Sequence, residues 1–268
     1  MGVNAGKTKA GIALITGASG GLGLEFAKLF AEDGHNLILA ARSGDKLDQI
    51  CAELRGRYGV EATSYVVDLS VPEQLERFVQ HIAPIHIGYL VNNAGFGDTG
   101  YFHERPWQVQ QEMINVNILA LSRLTHACAE GMVQRGFGRI LNIASTAAFQ
   151  PSPHFNVYAA CKSYVLNFTE ALREELRGSG VSATVSCPGP TETGFHKRAG
   201  SNKSRILSLG LMSGEKVARK AYQGMMNGKA TVMHGFTNTL MTFSLRFTPR
   251  SLAPKVAYYL MKYNDESV

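Results

Sequence analysis

A tyrosine and a lysine four residues apart, Tyr158 and Lys162, carry the strongest chemical signal in the chain. On a helix the two share one face. An ammonium beside a phenol favours the phenolate and draws the phenol's pKa down from about 10 towards neutrality. A phenol tuned in this way gives a proton to a carbonyl oxygen or takes one from an alcohol. Ser145, thirteen residues earlier, supplies a hydroxyl that can hydrogen-bond and orient the same oxygen. A second signal lies near the N-terminus, in Thr16-Gly17-Ala18-Ser19-Gly20-Gly21-Leu22-Gly23. This run joins an apolar, strand-like stretch to a helical one. The free N–H groups and dipole at a helix start favour a pyrophosphate, and the glycines allow close approach and positive φ.

Such groups need rigid elements to hold them. Short aliphatic and β-branched runs at 11–16, 36–41, 62–67, 87–92, 139–144 and 182–187 read as strands that are apolar on both faces. Helical spacing predicts helices over 21–33, 45–57, 72–82, 107–135 and 157–177, then a helix over 215–227 and a last strand at 230–233. Gly34, Gly178 and Gly180 stand where helices should stop. This alternation predicts an α/β fold, a Rossmann-like doubly wound parallel sheet with right-handed crossovers. With neither linker nor repeat, residues 1–268 read as one domain. The chain is 45% hydrophobic and 18% charged, enough apolar material for a full core. Its net charge of +6 includes no run of five like charges, which argues against a nucleic-acid tail. Cys51, Cys128, Cys161 and Cys187 are scattered, with neither metal-ligand spacing nor a disulfide framework, so no metal site is expected. With no secretory h-region and no stretch of about 18 apolar residues, the expected setting is cytoplasmic.

The glycine spacing T-G-x-x-x-G-x-G, through Gly17, Gly21 and Gly23, differs from the G-x-G-x-x-G of ordinary dinucleotide folds. It resembles the fingerprint of the short-chain dehydrogenases/reductases. Further motifs of that family follow in order: Asn92-Asn93-Ala94-Gly95, Asn115 within Ile114-Asn115-Val116-Asn117, Ser145 within Asn142-Ile143-Ala144-Ser145, the Tyr158–Lys162 pair, and Pro188-Gly189-Pro190-Thr191-Glu192-Thr193. The resemblance covers about 11–193. It implies seven strands in the order 3-2-1-4-5-6-7 and a catalytic set of Asn115, Ser145, Tyr158 and Lys162. In that set Asn115 supports a proton-relay water near the lysine, and Lys162 also contacts the nicotinamide ribose. It further implies cofactor contacts from Gly17, Ser19, Gly21, Leu22, Gly23, Arg42, Asp68, Asn93, Ala94, Gly95, Tyr158, Lys162, Pro188, Gly189, Thr191 and Thr193, with Asp68 at the adenine. Ser70 is better placed than Asp68 to cap the helix starting near Pro72. NAD-binding members carry an acid at the end of the second strand. Here Ala41 takes that place and Arg42 follows, a guanidinium suited to a 2′-phosphate, so NADP(H) is expected over NAD(H). Gly20 departs from the basic residue of many NADP-dependent members.

The resemblance therefore implies an NADP(H)-dependent oxidoreductase that moves a hydride between nicotinamide and a carbonyl or alcohol substrate, as a carbonyl reductase or alcohol dehydrogenase. The alternative is a catalytically weak, dinucleotide-sensing binding protein on the same fold, against which the intact catalytic set stands. Phe96, Phe149, Phe155 and Phe195 suggest a pocket with apolar walls. His154 could line it, although a surface position is the simpler reading, and Cys161 reads as a small packing residue. A homodimer or homotetramer is expected through 107–135 and 157–177, with Met113, Leu119 and Leu124 as apolar contacts or as core. A basic substrate loop is expected over about 190–212 and a basic amphipathic tail over about 236–263. The tail could cover the pocket, touch a membrane surface or pack on a partner subunit; ordinary packing on its own domain is the preferred reading.

Overall fold

In the computed structural model, which describes residues 11–195, 199–200 and 210–261, the two-sided apolar runs become the strands of one sheet. β1 (Ile12–Thr16), β2 (Leu37–Ala41), β3 (Ala62–Val66), β4 (Ile87–Asn92), β5 (Gly138–Ile143) and β6 (Val181–Cys187) alternate with helices. The helices are α1 (Gly21–Glu32), α2 (Gly44–Tyr58), α3 (Pro72–Ile82), α4 (Trp107–Ile114), α5 (Leu121–Arg135) and α6 (Asn156–Glu175). A short ladder of β7 (Thr191–Glu192) and β8 (Met212–Ser213) follows, then α7 (Gly214–Met226), β9 (Thr231–Met233), α8 (Phe236–Ser244) and α9 (Ala253–Met261). The main sheet runs β3-β2-β1-β4-β5-β6-β9, with every pairing parallel. The expected order holds; the seventh strand is β9 because the small ladder intervenes.

Each central strand feeds two cores because successive side chains point to opposite faces. Ala13 and Ile15 of β1 join Phe26 and Phe30 of α1, Leu47 of α2 and Met225 of α7. Leu14, between them, joins Phe78 of α3 and Leu124 and Met132 of α5 on the other face. The sheet is thus sandwiched, and the C-terminal ends of its strands are left to carry loops.

Two expectations change, and one open choice is narrowed. The stretch 107–135 is not one regular helix: a π-helical turn over Asn115–Ala120 separates α4 from α5. Ser70 does not cap α3, whose N-cap is Val71 without a side-chain bond; instead the Ser70 hydroxyl donates to Asp68 Oδ1 at 2.6 Å. Of the three residues considered for subunit contact, Met113 and Leu124 are buried in the core and only Leu119 is exposed. All four cysteines are buried and free. Most of the expected 190–212 loop, at 196–198 and 201–209, lies outside the described residues.

Candidate active site

The glycine turn is held by the end of β4. Asn93 Nδ2 donates to the carbonyls of Thr16 at 2.9 Å and Gly17 at 3.2 Å. Thr16 Oγ1 accepts from the backbone N–H groups of Asn93 and Ala94 at 3.1 and 3.0 Å. Gly17 has φ +66°, and a Cβ there would lie 2.9 Å from Ala94 Cα. A side chain at Gly23 would meet the Gly17 carbonyl oxygen at 2.2 Å. Gly23 therefore lets α1 press directly on the turn, and it is a packing residue that does not line the cavity in front. α1 thus starts on two glycines, Gly20 and Gly21, with no capping side chain, the arrangement that receives a phosphate.

That cavity, of about 630 Å³, opens at the C-terminal ends of the central strands. Ala41, Arg42, Ser43, Lys46 and Asp68 line one end. Arg42 lies 3.8 Å from Asp68 across this end, with its side chain 54% exposed. Lys46, in the first turn of α2, is a second cation at that end, and sequence reasoning passed it over. Its signal was its place in the helix that follows β2, on the same stretch as Arg42. The middle is lined by Gly17, Ser19, Gly21, Leu22, Asn93, Ala94 and Gly95. Ser145, Tyr158, Lys162, Pro188, Gly189, Thr191 and Thr193 line the far end, where Phe96, Phe155 and Phe195 form apolar walls together with Met241 and Ala257. Phe149 is not among these walls; it packs with Ala144, Val165 and Val185. His154 is also off the cavity wall, placed between the rings of Tyr101 and Tyr258 at centroid distances of 4.6 and 4.8 Å.

The reactive cluster stands on α6 and the end of β5. Tyr158 is buried and stacked on Phe155 with centroids 4.3 Å apart, and Ser145 Oγ donates to the Pro188 carbonyl at 3.5 Å. Ser145 Oγ also accepts from the Ala147 N–H at 3.1 Å, which fixes its rotamer at the start of the Thr146–Phe149 turn. Lys162 Nζ donates to the Ile143 carbonyl at 2.8 Å and sits 5.5 Å from the Tyr158 ring centroid. Burial holds the Tyr158 phenol well above its ordinary value, with the nearby Ser145 hydroxyl pulling the other way. The same burial brings Lys162 down to about 8. The expected depression of the phenol by the lysine is therefore corrected. Spacing places the ammonium nearby, but loss of water around both groups outweighs that charge.

The structure also separates the two asparagines of the Ile114–Asn117 motif. Asn115 donates to the Ser70 carbonyl at 2.9 Å and does not line the cavity. Asn117 is buried, and its Nδ2 donates to the Phe96 and Met113 carbonyls, both at 3.0 Å. Its Oδ1 has no partner within the protein. It lies in the space beside the lysine: a Cβ on Gly95 would be 2.6 Å from Asn117 Oδ1 and 3.4 Å from Lys162 Nζ. Asn117, not Asn115, is the asparagine brought to the cluster. The π turn widens the helix at this point, as such turns do at functional sites. The signal was in the spacing: Met113, Asn117, Ala120 and Leu124 form one buried stripe, and Asn115 falls off it.

Below the cluster runs a buried polar chain of which the sequence reading names only Asn92 and Asn142, as motif letters. Asn92 Nδ2 donates to Thr125 Oγ1 and Asn142 Oδ1, both at 2.9 Å. Asn142 Nδ2 donates to Thr169 Oγ1 at 2.9 Å, and Thr169 donates to the Val165 carbonyl at 2.6 Å. The chain ties α5, β4, β5 and α6 together, fixing the elements that carry Ser145, Tyr158 and Lys162.

The sequence profile of the family described as short chain dehydrogenase matches residues 11–204. The human very-long-chain 3-oxoacyl-CoA reductase is 36% identical over 173 residues, 63% of this chain and 55% of that enzyme. Ketoacyl reductase HetN of Nostoc sp. is 36% identical over 180 residues, 66% of this chain and 62% of that protein. These matches span little more than half the length of the curated relatives. A short-chain dehydrogenase from Sphingobium yanoikuyae, solved in complex with NADPH, superposes with a TM-score of 0.82 at 30% identity, covering 96% of this chain and 100% of that one. The bulky-bulky ketone specific alcohol dehydrogenase from Comamonas testosteroni superposes with a TM-score of 0.76 at 28% identity, covering 88% and 92%. With most of the family's motif residues on one cavity and its profile matching from β1 past Thr193, the chain belongs to the short-chain dehydrogenase family of oxidoreductases.

Proposed function

We propose that the protein is an NADP(H)-dependent reductase of a carbonyl group carried on an apolar body, a 3-oxoacyl thioester being the favoured substrate class. The observation that carries this reading is the placement of Ser145, Tyr158 and Lys162 on the same cavity as the glycine turn. The residues fit a nicotinamide dinucleotide. Gly20, the N-cap of α1, keeps a Cβ out of the cavity in front of the helix start, and Arg42 and Lys46 offer two cations for a 2′-phosphate. When bound, the dinucleotide supplies the hydride. Tyr158 gives its proton to the carbonyl oxygen as charge develops there, and Ser145 holds that oxygen in place. A buried phenol kept in its protonated form is suited to the donor role. Lys162 places a positive charge beside the phenolate left behind, and Asn117 turns an acceptor towards the lysine, where a water can relay the returning proton. Phe96, Phe155 and Phe195 give the substrate an apolar seat. The names of the human and Nostoc relatives support the acyl thioester choice.

Exposed Trp107, Leu119 and Val133 on and between α4 and α5, with Tyr164 on α6, support pairing of two copies through these helices.

The test is NADPH oxidation against a panel of acyl thioesters, ketones and aldehydes. Tyr158→Phe keeps the ring packing and should cost about 10²–10⁴-fold in turnover, with NADPH affinity retained. Near-normal turnover in that variant would overturn the assignment of the proton donor.

A further inference from the structure

A surface helix ordinarily turns its apolar side to the core. α8 does the reverse. Asn238 and Thr242 face inward: Asn238 Nδ2 donates to the His234 carbonyl at 2.7 Å, and Thr242 is 6% exposed. Phe236, Leu240, Phe243 and Phe247, along α8 and the turn after it, face solvent, with Phe236 82% and Phe247 76% exposed. Their spacing of four, three and four residues makes one stripe. α9 turns small apolar residues inward, Ala253 and Ala257, and like α8 leaves larger ones, Val256 and Tyr259, exposed. Met241 and Ala257 line the catalytic cavity, so each helix has an inner side against the site and an apolar outer side.

The charge on this segment is one-signed. Residues 236–261 contain Arg246, Arg250 and Lys255 and no acidic residue. Arg246 sits over the Phe243 ring at 5.8 Å from its centroid, so cation and aromatic face outward together. A second copy of the chain would bring three cations against three. An anionic bilayer matches both features: the aromatic and aliphatic side chains enter the acyl boundary, and the cations meet the headgroups. No helix among the described residues is long and apolar enough to cross a membrane, so the contact lies in the interface plane.

We propose that α8 and α9 form a docking surface for anionic lipid bilayers, bringing the wall of the catalytic cavity beside the membrane. The test is co-sedimentation of the full chain with vesicles of phosphatidylcholine alone or mixed with phosphatidylserine. Binding is expected to the mixed vesicles and should weaken steeply as salt is added to the unaltered protein. The triple variant R246Q/R250Q/K255Q should lose about a hundredfold in affinity, the scale of three cations near a charged surface. F236S/F247S should weaken binding while leaving NADPH affinity unchanged. Absence of vesicle binding, equal binding to both vesicle types, or unchanged binding in both variants would overturn the proposal. So would a mass that halves in F236S/F247S by light scattering with no vesicle contact, which would give the face to a second copy instead.

Discussion

Two regions of the chain treat apolar side chains in opposite ways. From β1 to β6 the phenylalanines and leucines beside the sheet are packed inside: Phe26, Phe30, Phe78 and Leu90 are all fully buried, and the exposed apolar residues, such as Trp107 and Leu119, stand apart on outer helices and loops. From Phe236 onward the phenylalanines stand in solvent and the polar Asn238 and Thr242 turn inward. The first region gains its stability from burial, so substitutions there are read in folding. The second gains little from its outward side chains, so substitutions there leave folding alone and are read in what the surface binds.

The sharpest test exchanges one residue type in the two regions. Phe30 meets Tyr89 and Tyr222 edge-on, with centroids 5.4 and 4.8 Å apart. Phe30→Ala should destabilise by about 3–5 kcal/mol, the loss of a fully buried ring plus the cavity it leaves. Phe236→Ala should stay within about 0.5 kcal/mol of the unaltered protein. Urea unfolding of the two variants measures both. A loss above about 2 kcal/mol for Phe236→Ala would mean that the tail is part of the folding unit after all.

His234 joins the two regions, and its effect depends on pH. It follows β9, its Nε2 lies 2.8 Å from Ser186 Oγ on β6, and its carbonyl holds Asn238 of α8. Burial keeps its pKa down, at about 4. An unfolded imidazole takes its proton near 6.5, so between these values the unfolded state binds the extra proton. Stability present above pH ~6.5 is therefore lost as pH falls towards 4, by roughly 2–3 kcal/mol from this group. His234→Gln, which keeps a side chain able to reach Ser186, should lose less between neutral and acid pH in the same urea titration. Identical losses in both proteins would place the titrating group elsewhere.

How much of this was legible in the sequence depended on whether the signal was periodic or environmental. Strands apolar on both faces and the order of the motifs carried the sheet, because burial on two sides leaves no polar alternation. Ser145, Tyr158 and Lys162 were legible because chain spacing alone puts them on adjacent elements. The motif holds both Asn115 and Asn117, and only the helical stripe through Met113 and Leu124 separates them. The Tyr158 pKa was read in the wrong direction because spacing reports a neighbouring charge but not the loss of water around it. Local sequence favours Ser70 as a cap because it does not show that Asp68 claims its hydroxyl. The tail's apolar stripe was visible in the sequence as a basic amphipathic segment; which way it points was not, since periodicity defines a face and only tertiary contact gives it an orientation.

The smallest effect sharpens the comparison at the nucleotide end of the first region, where the structure does expose charge. Arg42 is more than half exposed and 3.8 Å from Asp68, so it is already partly balanced by a carboxylate and screened by water. If it reads a 2′-phosphate, Arg42→Ala should weaken NADPH by about 1–3 kcal/mol and leave NADH nearly unchanged. Lys46→Ala should weaken NADPH less, since an ammonium makes a point contact where a guanidinium can make two hydrogen bonds. Asp68→Asn tests the balance from the other side: freeing Arg42 from its carboxylate should tighten NADPH relative to NADH, provided the Ser70 bonds to position 68 survive. Each affinity is measured by fluorescence titration at low and high salt, because an exposed charge contact must fade as salt rises while the glycine turn's backbone contacts persist. Equal losses for both nucleotides in Arg42→Ala would show that this end of the cavity does not distinguish them, and that its two cations serve the pyrophosphate or the surface field instead.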